Sequence, residues 1–150
     1  MTTLKTGDKA PKINAVNQNN EPITLDQFLG KKIVLYFYPK DDTPGCTAEA
    51  CDLRDNYNSF IQNGYVVIGV SPDTAAKHQK FIAKYNLPFD LIADTDQSVA
   101  IAFGVWVEKN MYGRKYMGIA RTTFIIDAEG AIETIIEKVN TKAHTSQILG

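Results

Sequence analysis

A chain of 150 residues with 44% hydrophobic and 22% charged residues has the composition of an ordinary folded domain, which excludes disorder, collagen and a long coiled coil. Its net charge of −1 gives no field that would gather nucleic acid or an anionic membrane. The longest apolar runs, Ile33 to Tyr38 and Tyr65 to Val70, fall far short of the roughly 18 residues of a membrane span.

The opening residues, MTTLKTGDKAPKI, hold no apolar stretch that would act as a signal peptide, so a cytoplasmic protein is expected. In that compartment a permanent structural disulfide is not expected. Ile33 to Tyr38 is apolar, aromatic and β-branched throughout and reads as a strand buried on both faces, ended by Pro39. A helix from about Pro44 to Asn63 follows, with Asp42 or Thr43 to cap it, Pro44 in its first turn and Gly64 to stop it. Its stripe of Cys46, Ala50, Leu53, Tyr57, Phe60 and Ile61 marks the buried side. Tyr65 to Ser71 is a second buried strand, ended by Pro72. A helix near Thr74 to Tyr85, a short strand at Phe89 to Ile92 and a helical turn or two at Gln97 to Phe103 come next.

Gly104 to Ala120 reads as irregular. Thr122 to Asp127 and Ala131 to Glu137 pair around Ala128-Glu129-Gly130 as a hairpin, and Thr141 to Leu149 closes the chain as a helix. Strand–helix–strand crossovers require a parallel core, and the hairpin adds antiparallel strands to one side. The expected fold is a single α/β domain over residues 1–150, thioredoxin-like, with a mixed central sheet flanked by helices. Ligands of such sheets sit beyond the carboxyl ends of the strands, where Cys46 lies.

Cys46 in Thr43-Pro44-Gly45-Cys46 falls in the first turn of a helix, where unpaired N–H groups and the helix dipole favour a thiolate. Thr43 can offer a hydroxyl, and the Pro44 ring can shield the sulfur from water. A lowered pKa alone achieves little. A free thiol of pKa about 8.5 is about 3% thiolate at pH 7, and a pKa of about 6 raises that roughly thirtyfold. The accompanying loss of nucleophilicity returns roughly tenfold or more, which leaves a gain of about two- to threefold. Efficient chemistry therefore needs donors aimed at the group under attack. Cys46 also lies on the apolar stripe, where a buried cysteine is a common core filler. The two readings agree if the sulfur sits at the floor of a small pocket.

Cys51 stands five residues further on, so the motif is not the Cys-x-x-Cys of thioredoxin-like reductases. On one helix the two Cα atoms would lie roughly 8–9 Å apart, beyond the reach of a disulfide. Pairing would require the first turns to unwind; otherwise Cys51 is an unrelated thiol. A metal site using His78 and His144 is a further alternative, although their separation fits no common zinc spacing.

The segment from Tyr36 to Asp55 closely resembles the active-site segment of peroxiredoxins, most of all the Q-type, or bacterioferritin comigratory protein, subfamily. The pattern Pro-x-x-x-Thr-x-x-Cys is met by Pro39, Thr43 and Cys46, and Gly7 to Pro11, Phe103 to Trp106 and Arg121 to Asp127 extend the likeness over nearly the whole chain. The sequence departs from that subfamily beyond Leu149, where relatives usually add about two turns of helix.

The resemblance implies a role for each matching residue. Cys46 is the peroxidatic cysteine and Cys51 the resolving one. Thr43 hydrogen-bonds peroxide and sulfur, Pro39 packs over the site, and Arg121 holds thiolate and peroxide. Glu49 occupies a place where relatives carry a polar supporting residue. It implies a thiol peroxidase for hydrogen peroxide and organic hydroperoxides, acting in antioxidant defence, without metal, haem or flavin, and regenerated by thioredoxin or a similar dithiol. Because the resolving cysteine would be in the same chain, a monomer is expected. A thiol–disulfide exchange protein and a non-catalytic thioredoxin-like binding module stay open as alternatives.

Overall fold

A computed structural model describes residues 2–150. A short β-arm, β1 (Ala15–Val16) and β2 (Pro22–Ile23), and a 3₁₀ turn at Leu25–Phe28 lead into the central strand β3 (Lys32–Phe37). The chain continues through α1 (Pro44–Asp55), α2 (Tyr57–Gln62), β4 (Tyr65–Ser71), α3 (Ala75–Tyr85), β5 (Asp90–Ala93) and α4 (Ser98–Ala102). It ends with β6 (Trp106–Met111), β7 (Arg114–Ile119), β8 (Thr122–Ile126), β9 (Ile132–Ile136) and α5 (His144–Leu149).

The main sheet has the order β5-β4-β3-β8-β9. β3, β4 and β5 run parallel, because their connections cross through α1–α2 and α3. β8 and β9 form the expected hairpin, and β8 pairs antiparallel to β3, with Leu35 opposite Phe124. The mixed α/β fold predicted from element order is the one observed.

Alternation along β3 divides the interior in two. Ile33, Leu35 and Phe37 join Val70, Phe103 and Phe124 on one face of the sheet. Val34, Tyr36 and Tyr38 face the other way, onto Cys46, Ala50 and Leu53 of α1 and Phe81 of α3. The ring of Tyr36 lies where a side chain at residue 69 would stand: a Cβ on Gly69 would come within 2.8 Å of Tyr36 Cζ.

Two expectations are corrected. The predicted helix from Pro44 to Asn63 is two helices, broken at Asn56, whose side-chain amide donates to the Asp52 carbonyl at 2.8 Å. Asn is prone to such local backbone bonding, which competes with continuation of a helix. Gly104 to Ala120 is mostly ordered as the β6–β7 ribbon, with its own turn at Tyr112 and Gly113, both at positive φ. That ribbon projects from the main sheet and keeps polar residues on both sides, so it lacks the apolar alternation that marks a half-buried strand.

Candidate active site

β3 delivers the chain to Pro39, which is half-buried at its carboxyl end. Asp42 then takes φ of 59°, and its carboxylate reaches away to α3, binding Lys84 Nζ at 2.7 Å and the Tyr85 hydroxyl at 2.8 Å. Thr43 therefore becomes the N-cap residue of α1, and Pro44 takes the first helical position with its ring exposed. The Thr43 hydroxyl makes no capping bond; it donates to the Lys40 carbonyl at 2.9 Å. Cys46 follows at the third helical position and is 2% exposed.

Arg121, between β7 and β8, spans the site. Its Nη2 donates to Cys46 Sγ at 3.3 Å and its Nη1 to Glu49 Oε1 at 2.7 Å. Gly45 permits this approach, since a Cβ there would stand 3.3 Å from Arg121 Nη2. Burial works against the Arg121 charge, but the Cys46 sulfur and the Glu49 carboxylate outweigh it and hold the guanidinium above its ordinary range. Lys109 on β6 faces the same group; burial and the Arg121 charge hold it below the usual lysine range.

Glu49 is fully buried. Burial pushes its carboxyl up from 4.5 to about 7, although Arg121 pulls the other way through charge and hydrogen bond. Its second oxygen, Oε2, has no hydrogen-bond partner and lies 3.6 Å from His144 Nε2. His144 is also fully buried, at the start of α5, between Thr123 Oγ1 and Gln147 Oε1, each at 2.7 Å. Burial holds this imidazole below the ordinary histidine range.

Cys51 is half-buried further along the intact α1, and both thiols are free. The helix thus keeps the cysteines at the separation estimated from their spacing. His78 and His144 do not come together with them as a metal site. His78 is fully buried, Nδ1 2.6 Å from Asp41 Oδ2 and Nε2 2.9 Å from the Ile92 carbonyl. Asp41, Asp73 and His78 come close enough to hold a cation, but their atoms already bond one another or neighbouring groups. Tyr38 donates to Asp41, and Asp73 Oδ2 accepts from both the Asp41 amide and Ser71. This network fastens the segment after β3 to α3.

The sequence reading assigned no role to Thr123, Lys109 or the Asp41–His78 network, and it considered His144 only as a metal ligand. Thr123 and His144 lie 77 and 98 positions from Cys46, and no local period links them to it.

A buried cysteine at a helix start, beyond the carboxyl end of a parallel strand and bonded by a guanidinium from an antiparallel one, defines a thiol-based redox site on a thioredoxin-like fold. Residues 6–135 match the AhpC/TSA family, and the chain belongs to it. It is 49% identical over 147 residues to peroxiredoxin Bcp of Bacillus subtilis, covering 98% of this chain and 94% of that one. To peroxiredoxin Bcp of Escherichia coli K12 it is 43% identical over 149 residues, covering 99% and 96%. Among solved structures, peroxiredoxin Q of Xanthomonas campestris superposes with a TM-score of 0.87 at 35% identity, covering 99% of this chain and 94% of that one. A structure described for the alkyl peroxide reduction activity of the Xanthomonas campestris bacterioferritin comigratory protein gives 0.87 at 34% identity, covering 99% and 95%. The protein is accordingly a peroxiredoxin of the Bcp, or Q, type and a thiol-dependent peroxidase.

Proposed function

We propose that Cys46 is the peroxidatic residue and that it reduces hydrogen peroxide and organic hydroperoxides. The observation that carries this reading is the 3.3 Å bond from Arg121 to the buried Cys46 sulfur at the first turn of α1. The thiolate attacks the terminal peroxide oxygen: an S–O bond forms, the O–O bond breaks, and the leaving oxygen takes a proton to become water or an alcohol. Cys46 is oxidised by two electrons to a sulfenic acid. Negative charge grows on the leaving oxygen, and Arg121 with the unpaired N–H groups of the first helical turn stabilises it. Thr43, whose hydroxyl donates to the Lys40 carbonyl, accepts a hydrogen bond from the peroxide O–H and orients it. Pro39 and Pro44 border the entrance and limit water.

Cys51 then attacks the sulfenic sulfur, water leaves, and a Cys46–Cys51 disulfide forms once the first turns of α1 unwind. A thioredoxin, or a similar dithiol, returns the two electrons. Resolution within one helix needs no second chain, which supports a monomer. Among the described residues no helix is long and apolar enough to cross a membrane. A cytoplasmic setting is part of this proposal.

The test is peroxide consumption coupled to a thioredoxin system. Cys46→Ser is expected to abolish it; full activity in that variant overturns the reading. Cys51→Ser is expected to complete one turnover and then accumulate overoxidised Cys46, which mass spectrometry detects.

A further inference from the structure

The carboxylate that holds Arg121 is itself open on its far side. Glu49 Oε2 is buried without a hydrogen-bond partner, in a protein interior where such atoms are rare, and the nearest polar nitrogen is His144 Nε2 at 3.6 Å. The environment of His144 fixes its tautomer. Gln147 Oε1 accepts from the Asn140 amide at 2.9 Å, and Gln147 Nε2 donates to the Lys138 carbonyl at 2.9 Å, so the side-chain amide has one orientation. His144 Nδ1, 2.7 Å from that Oε1, must carry a hydrogen. In the neutral ring Nε2 is then a lone pair, to which the Thr123 hydroxyl donates. An ionised Glu49 would set a carboxylate oxygen against that lone pair with nothing between them. A proton on Oε2 removes the conflict; it reaches the Nε2 lone pair after a shift of about half an ångström, with the Thr123 hydroxyl turning its own hydrogen away.

We propose that His144 is a positioning residue for the peroxidase site: it keeps one proton on the Glu49–His144 pair, which leaves the Arg121 cation uncompensated for the Cys46 thiolate and the leaving oxygen. The inference rests on the reading of Cys46 and Arg121 given above. While the proton is held, the pair is neutral. When it is lost at higher pH, a full negative charge on Glu49 offsets Arg121 and faces the thiolate, so attack on peroxide slows. Burial of both groups favours the neutral acid and the neutral imidazole, which puts the proton on Glu49.

Other groups face the pair. Asp52 on the same helix and Arg121 act on both, Tyr36 approaches Glu49 from β3, and Cys46 and Lys109 of β6 lie beyond, against Arg121. Of these, Lys109 is the one whose deprotonation could imitate the effect.

The experiment is the second-order rate of Cys46 oxidation by hydrogen peroxide in single turnover, from pH 5 to 9, on the full chain. The wild type is expected to show an alkaline fall. In Glu49→Gln, permanently neutral, that fall should vanish; in His144→Leu it should move down by about one pH unit or more, because the proton has lost its acceptor. Glu49→Gln/His144→Leu should follow Glu49→Gln alone, which a merely structural role for His144 would not produce. A fall that survives Glu49→Gln assigns it to Lys109 and overturns the proposal, as does an unmoved fall in His144→Leu. Should His144→Leu not fold, the ¹³C spectrum of the wild-type Glu49 carboxyl together with the ¹⁵N spectrum of the imidazole decides: one proton on the pair at pH 6 supports the proposal, and an ionised carboxyl beside a neutral Nδ1–H ring overturns it. Cys46→Ser separates the two levels. If it still consumes peroxide, the site reading fails and takes this inference with it; if it is inert while the profile ignores Glu49 and His144, only the inference fails.

Discussion

The two faces of β3 are built from alternate residues of one short run, yet they are chemically unlike. Ile33, Leu35 and Phe37 enter a core of aliphatic and phenyl side chains, where Phe124 packs against Phe37 and Phe103 with ring centres 5.7 and 5.0 Å apart. Val34, Tyr36 and Tyr38 enter a core that also encloses Cys46, Glu49 and both histidines, along with Asp41 and Thr123. The first face stabilises the sheet by excluding water. The second gives up part of that to polar groups that must each find a partner, and in return it holds a charged site at fixed geometry. Burial alone therefore does not distinguish scaffold from site; the number of bonded polar atoms does.

Substitutions can separate the faces. The largest expected effect on stability is on the apolar side: Phe124→Ala should cost about 3–5 kcal/mol by chemical denaturation. The molecules that remain folded should react with peroxide at an unchanged rate, and a matching fall in that rate would show that the faces are not independent. On the polar side, Arg121→Ala should slow Cys46 oxidation in stopped-flow by about 10²–10³-fold, the scale of removing one preorganised donor. Its stability cost should be much smaller, because the proton held on Glu49 leaves no bare buried charge when its partner is gone.

Stability against pH gives the next effect. The Glu49 carboxyl is raised in the folded state, so folding binds its proton more tightly than the unfolded chain does. That contribution is fully present below about 4.5 and is lost as pH rises through about 7. Its size is on the order of 3 kcal/mol from the two values, and Glu49→Gln should remove that part of the slope in urea titrations at a series of pH values. The smallest effect lies outside both cores. Tyr112 is fully exposed at φ of 54° in the β6–β7 turn, and Tyr112→Asn should raise stability by about 0.5 kcal/mol without altering the peroxide reaction.

How much of this was legible in the sequence follows the same division. β3 and β4 carry apolar runs buried on both faces, and β8 was read as half of a hairpin; together they carried the sheet and the place of Cys46 at its edge. The motif around Cys46 is local, and Arg121 came through the family resemblance. The β6–β7 ribbon was not legible, because it packs little of itself against the core and its turn uses Tyr-Gly where Asn-Gly would have signalled a hairpin. The Thr43 hydroxyl was expected at the sulfur and is instead turned to Lys40, a detail of loop geometry that composition does not carry. His144 and Thr123 meet Glu49 only through tertiary packing of α5 and β8 onto α1, and a lone histidine in a polar stretch leaves no pattern to read.

The break at Asn56 gives the molecule a place to stop. Its carbonyl accepts the amides of Ser59 and Phe60 at the start of α2, while its side chain closes the last turn of α1. Phe60 is fully buried, so α2 is anchored through its own contact with the core. On the resolution step proposed above, a twelve-residue helix undone from Pro44 has a firebreak at its far end. The proposed unwinding would then be confined to the segment between the two cysteines and its immediate flank, short of β4, which begins just beyond α2.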